Sequence, residues 1–176
     1  FVHWTNAEIT IVYDPASGEW HRRETRGLTR WRGNNCVEFA DKTLVGDYAN
    51  GKIYEVSGSH YFDGPDPVTH IIETPTIWAD DKRVGHYGIM IKVEAGVGLA
   101  NGQGEDPQIA MQYSDDGGKT WSNEQWRSLG RIGEWMKRLV WPRLGRSRGR
   151  IYRFSLFDPV PLAVHGLYGS FRVGRE

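Results

Sequence analysis

The sequence predicts an all-β fold of antiparallel hairpins, and three observations predict it. First, its 176 residues include 8 Trp, 8 Tyr, 6 Phe and 22 Gly, whereas the helix formers Ala and Leu are not prominent. That balance suits short strands and turns. Second, runs of β-branched and aromatic residues recur between clusters of Gly, Pro, Asn and Asp, the spacing of strands joined by turns. Third, no stretch shows the apolar period of an amphipathic helix.

The elements follow in order. Ala7 to Tyr13 is a strand of β-branched and aromatic residues, stopped by Asp14-Pro15-Ala16-Ser17-Gly18, and Glu19 to Thr25 returns. Asp and Pro pre-set such a turn and Gly closes it. Asn35 to Ala40, Lys42 to Asp47 and Lys52 to Val56 supply further strands. The last two are joined across Asn50-Gly51, a strong hairpin signal. Strands packed this densely match one propeller blade and part of the next, so residues 1–57 are expected to form propeller-like strands. Cys36, the one cysteine, is expected to be a buried thiol.

Residues 58–86 form an irregular connection broken by Gly58, Gly64, Pro65, Pro67 and Pro75. An antiparallel, sandwich-like module is expected over 87–169, with a tail at 170–176. Its strands are Tyr87 to Glu94, Pro107 to Tyr113, Ser122 to Ser128, Trp135 to Pro142, Arg150 to Phe157 and Leu162 to Tyr168. In the fifth, Tyr152, Phe154 and Leu156 share one apolar face. The glycine-rich run from Ala95 to Pro107 reads as a flexible loop, not as a nucleotide fingerprint, because no helix follows it. The opening Phe1 reads as the cut end of a longer protein.

The most distinctive stretch is Ser114 to Trp121. Ser114, Asp116, Gly118, Thr120 and Trp121 fill a Ser-x-Asp-x-Gly-x-Thr-Trp spacing. Asp116 can accept hydrogen bonds from backbone N–H groups of the turn, and Gly117 and Gly118 can take positive φ. Thr120 suits the departing strand, and Trp121 offers an apolar plate for the turn to fold against. This spacing resembles the Asp-box, a hairpin signature of sialidases and other β-propellers, which implies a folding device and no chemistry.

A wider resemblance rests on Asp106-Pro107-Gln108, the run Tyr113 to Glu124, Trp126 to Gly130, Gly133-Glu134, Trp141, Arg143-Leu144-Gly145, Arg150, Asp158-Pro159-Val160 and Gly166. Val45-Gly46-Asp47, Gly51 to Glu55, Gly96-Val97-Gly98 and Gly102-Gln103-Gly104 precede them in order. Together they resemble the C-terminal part of the packaged-DNA stabilisation proteins, the tail hub or nozzle, of short-tailed bacteriophages. The resemblance implies a structural virion protein assembled in the host cytoplasm as a ring, a hexamer in that family, beneath portal and adaptor. It implies closure of the DNA exit channel, docking of tail needle and tailspike, no catalytic residues and no cofactor. The family's N-terminal half is expected to lie outside this sequence.

Charge is distributed unevenly along a chain whose formal net charge is zero. Arg127, Arg131, Lys137, Arg138, Arg143, Arg146, Arg148, Arg150 and Arg153 crowd one segment, opposed there by Glu134. Three readings stand open. The arginines pair with the chain's own carboxylates; or they meet a neighbouring subunit's acidic strip in a ring; or they contact DNA phosphates without base readout. Arg138, Arg143, Arg146, Arg148 and Arg150 are the candidate contact residues.

The alternative is a sialidase-like enzyme or a glycan-binding propeller. Catalysis would require a tyrosine nucleophile beside a carboxylate, an acid Asp and an arginine cluster, with Tyr54 and Glu55 as one available pair. A pocket where tyrosine, carboxylates and guanidinium groups converge would favour it. Trp20, Trp31 and Trp78 are the candidates for glycan stacking, and one or more of Trp126, Trp135 and Trp141 should lie at an interface. His3, His21, His60, His70, His86 and His165 show no metal-ligand spacing. No apolar run is long enough to span a membrane.

Overall fold

The computed structural model describes residues 2–175; Phe1 and Glu176, the ends of the expected first and last segments, lie outside them. Every regular element among the described residues is a strand, and no helix is long and apolar enough to cross a membrane. The chain divides into two compact units at Asp66 and Pro67.

The first unit holds two three-stranded antiparallel meanders. One is β1 (Val2–Thr5), β2 (Thr10–Asp14) and β3 (Glu19–Arg23). Its β2–β3 turn forms because Asp14 accepts hydrogen bonds from Ala16 N–H and Ser17 Oγ, while Gly18 takes φ 75°. The other is β4 (Gly33–Phe39), β5 (Lys42–Asp47) and β6 (Ile53–Val56). Ala40 and Asp41 join β4 to β5 at φ 49° and 59°, the backbone of a tight two-residue hairpin. Cys36 is exposed, contrary to expectation. All of β4 beyond Gly33 is open to solvent, so alternation has no buried side to offer the thiol. A short hairpin, β7 (Phe62–Asp63) with β8 (Asp66–Pro67), falls at the division.

The second unit is a two-sheet sandwich. In the first sheet β16 (Gly149–Leu156) is central, with β9 (His70–Glu73) and β10 (Ile77–Trp78) along one edge. β12 (Gln108–Ser114) lies along its other edge and β13 (Gln125–Ser128) beyond that. In the second sheet β11 (Val84–Val93) pairs with β14 (Leu139–Pro142) and β15 (Arg146–Ser147) on one side. On its other side lies β17 (Val164–Val173), whose far edge has no strand partner among the described residues. Ser170 to Val173, expected in a tail, are therefore in the sheet, because the ten residues of β11 offer a matching edge.

The core sits where the sheets face each other. Ile89, Ile91, Leu139 and Trp141 from the β11 sheet meet Ile109, Met111, Tyr152, Phe154 and Leu156 from the β16 sheet. The alternation read along β16 therefore points inward as expected. Of the three tryptophans of which one or more should lie at an interface, Trp141 is fully buried. Its ring lies 5.5 Å from that of Phe154, and its Nε1–H donates to Gln125 O at 2.8 Å. The glycine-rich loop after β11 is also packed. Gly96, Gly98 and Gly104 are buried, and a Cβ on Gly98 would lie 2.4 Å from Glu105 O. These glycines permit close approach of backbone to backbone.

A polar chain ties the two sheets together through that core. His86 of β11 shares hydrogen bonds with the Tyr152 hydroxyl through Nδ1 and with Ser147 Oγ through Nε2, both at 2.8 Å. Burial first, then the Arg150 guanidinium, lowers the His86 pKa to about 4, while burial pushes Tyr152 up to about 12. His86 is thus neutral in the folded state. Its contribution to stability is complete above the unfolded value of 6.5 and is lost as pH falls toward 4. Amide exchange of β11 and β16 should report a loss of about 3 kcal/mol across that window. In His86→Gln the histidine-linked part of the pH dependence should vanish.

Candidate functional site

The turn after β12 is built as its residue types suggest. Asp116 Oδ1 accepts from Lys119 N–H and Thr120 N–H, both at 2.9 Å, and Oδ2 accepts from the Thr120 hydroxyl at 2.6 Å. Ser114 Oγ donates to Asp116 Oδ1 and accepts from Gly118 N–H. The Thr120 hydroxyl, followed by the Thr120 N–H, holds the Asp116 carboxyl well below the usual carboxylate range. Gly117 and Gly118 have φ of 74° and 90°. Both carboxylate oxygens of Asp116 are thereby engaged within the turn. Trp121 serves as a plate in a second way: the Arg153 guanidinium stacks 3.6 Å above its ring.

The crowded arginines separate into two groups once folded. Arg150 turns inward and is 2% exposed. Its Nε and Nη2 donate to the two oxygens of Asp115 at 2.6 and 2.7 Å, and its Nη1 donates to Leu144 O. The Tyr113 ring lies 4.0 Å from its guanidinium carbon. That position removes Arg150 from the exposed candidates. Arg153 is committed to Glu73 across the β16–β9 pair, and Arg148 to Asp81 through both its carbonyl and carboxylate. Arg131 pairs with Glu105 and Lys137 with Glu134.

Arg138, Arg143 and Arg146 remain exposed and make no ion pair among the described residues. Arg138 reaches only the Met90 sulfur, at 3.6 Å. Arg146 is joined by three arginines that lie outside the basic segment of the sequence. Arg83, Arg146, Arg172 and Arg175 line one shallow groove of about 360 Å³ with Gly85 and Tyr87. Linear spacing could not reveal this group, because its members span 93 positions, 83 to 175, and meet only through the β11–β15 and β11–β17 pairings.

One place does bring tyrosine, carboxylates and guanidinium together. In the first unit Arg32 lies 3.5 Å from Asp47 and 3.4 Å from Asp63, and donates to the Tyr54 hydroxyl at 3.1 Å. The Arg32 side chain is 16% exposed, and Asp63 also accepts from the Thr25 hydroxyl and Asp47 from Ala49 N–H. Glu55 is taken by Lys42. The arrangement is that of an internal ion cluster, which leaves no free guanidinium group to receive a substrate carboxylate.

Among the tryptophans proposed for contact, Trp126 is 42% and Trp135 65% exposed, beside Ile132 and the almost fully exposed Met136. Trp20 and Trp78 are also exposed. However, Trp20 already packs against Trp4 and Tyr13 with centroids near 5 Å, and Trp31 against His3. Among the described residues, no three His, Cys, Asp or Glu side chains are placed to hold a metal ion.

Comparison with known proteins adds one finding. A family model described as bacteriophage P22 Gp10, beta-sandwich, matches residues 69–170, more than half the chain and nearly all of the second unit. No curated protein matches the chain.

The division among arginines is testable by denaturation. Asp115→Ala should destabilise the second unit by about 2 kcal/mol, because it leaves the Arg150 charge buried without its carboxylate. The figure lies below the full cost of a buried pair because Asp115 is itself partly in water. Arg143→Ala and Arg146→Ala should each change stability by less than about 0.5 kcal/mol.

Proposed function

The chain belongs to the bacteriophage P22 Gp10 β-sandwich family, and on that premise we propose that it is a structural component of a phage tail hub. In this reading it assembles as a closed ring below portal and adaptor, lines or closes the DNA exit channel, and docks needle and spike proteins. Family membership is the observation that carries the reading. The two three-stranded meanders of the first unit support it as portions of propeller-like blades, each one strand short of the usual four. The turn around Asp116 supports an Asp-box role as a folding device, because its carboxylate is wholly used within the turn.

Surface chemistry supports a role in assembly. Ile132, Trp135 and Met136 form an exposed apolar group on the connection between β13 and β14, a pattern expected where another protein docks. Arg138, Arg143 and Arg146 follow in the chain as exposed cations with no ion pair among the described residues. They are the contact residues in this reading, and Arg148 can join them only by leaving Asp81.

Two measurements test the proposal. Particles assembled without this chain should package DNA and then lose it, leaving the genome open to nuclease; full retention would end the tail-hub reading. Met136→Ser, at a position 94% exposed, should lower incorporation into tails while leaving the unfolding midpoint of the free chain unchanged. Turnover of a panel of sialosides by the purified chain would reverse the ranking in favour of an enzyme.

A further inference from the structure

The sheet of β11, β14, β15 and β17 contains no aspartate or glutamate in any of its strands. Its buried positions are apolar apart from the neutral His86 and Ser147. Its outward positions include the cations Lys92, Arg146 and Arg172. Gly85 faces out from β11 and is directly paired with Arg146 on one side and Arg172 on the other. Arg83 and Arg175 complete the groove, in which the Tyr87 ring lies beside Gly85. Farther along β11, Met90 lies beneath Arg138, and Lys92 is exposed.

We propose that this face binds the phosphodiester backbone of double-stranded DNA, with the Arg83, Arg146, Arg172 and Arg175 groove as its phosphate seat. The assignment rests on the tail-hub reading for the source of the DNA; the chemistry rests on the groove. Four guanidinium groups in one shallow depression repel each other unless an anion lies among them. None of the four forms an ion pair with a carboxylate among the described residues. The nearby Asp81 is already held by Arg148. The chain as a whole is neutral, so the cluster is a local excess and not a reflection of overall charge.

The occupant follows from shape and donor type. All four cations are arginines, whose planar forks suit phosphate oxygens in bidentate fashion. The groove is open, and four of its eight lining residues are arginines, with Tyr87 and Val173 as its larger apolar members, a smaller apolar share than the centre of a protein interface ordinarily buries. Beyond the groove, Arg138 over Met90 and the exposed Lys92 place two further cations along β11. At about 3.3 Å per residue the ten residues of β11 extend roughly 33 Å, comparable to one helical turn of duplex, about 34 Å. Such contacts hold the backbone and read no sequence.

Fluorescence anisotropy with a random-sequence duplex, roughly two helical turns long, tests the proposal on the full chain. With four phosphates neutralised, log affinity should fall against log salt with a slope of about −3.6. The double variant Arg83→Ala/Arg172→Ala should bind at least about tenfold more weakly, with a slope shallower by about 2. The control Lys119→Ala, on the exposed turn, should match the parent. Because the substituted arginines are exposed, an unchanged unfolding midpoint will show that the variants fold.

Equal binding by parent and double variant would overturn the proposal, as would no binding by either. So would displacement of the duplex by polyglutamate at equal charge concentration, which would make the face a seat for an acidic protein. The particle assay separates the two ideas. If particles need the chain to retain DNA while the purified chain ignores duplex, the groove assignment falls and the tail-hub reading stands. If the groove binds duplex but retention is unaffected, the tail-hub reading falls and the phosphate seat remains.

Discussion

The sandwich depends on a demand that its own burial creates. Tyr152 and His86 come from opposite sheets, and each carries a polar group that would be costly to leave unpaired away from water. The hydrogen bonds from Tyr152 to His86 and from His86 to Ser147 meet that demand in one relative position of the sheets. A slip of one residue in β11 would send His86 to the outer face and strand the tyrosine hydroxyl. Apolar packing of Trp141, Phe154 and their neighbours supplies the bulk of the driving force. It opposes the same one-residue slip, which would also turn Ile89 and Ile91 outward, and the polar chain adds to that preference.

The segment from β15 into β16 shows how fold decides the fate of like residues. Arg146, Arg148, Arg150 and Arg153 lie within eight positions of one another in the sequence. Strand alternation and local partners give them different fates. Arg150 is drawn under Asp115, Arg153 is stacked between Glu73 and Trp121, Arg148 is tied to Asp81, and Arg146 is left to solvent. A basic run is therefore not a basic surface. Each cation's availability is set by whether a carboxylate arrives from elsewhere in the chain.

Much of the strand inventory was legible in the sequence, because β-branched alternation and turn residues act locally. β2, β5, β12 and β16 fall close to where their composition puts them, and the Asp116 turn closes as its residue types require. β9 and β10 were hidden. His70 to Glu73 is short and lies among prolines, and it becomes a strand only because β16 offers an edge. The end of β17 was missed for the same reason, since Ser170 to Val173 owe their extension to β11. Cys36 was expected to be buried and is exposed. Residue type alone does not say which face of a strand has a second layer over it. The arginine groove was the least legible feature, since it exists only after three strands have paired.

β17 leaves the molecule with an unfinished border. All but one of its ten residues are exposed and its outer hydrogen-bonding edge meets no strand among the described residues. Sheets commonly protect such borders with charge. Here that protection is concentrated at the end bearing Arg172 and Arg175, whereas Leu167, Tyr168 and Phe171 lie on a stretch whose one ionisable cation is His165. Until something lies along that stretch, copies kept at high concentration have a ready template for strand-by-strand growth.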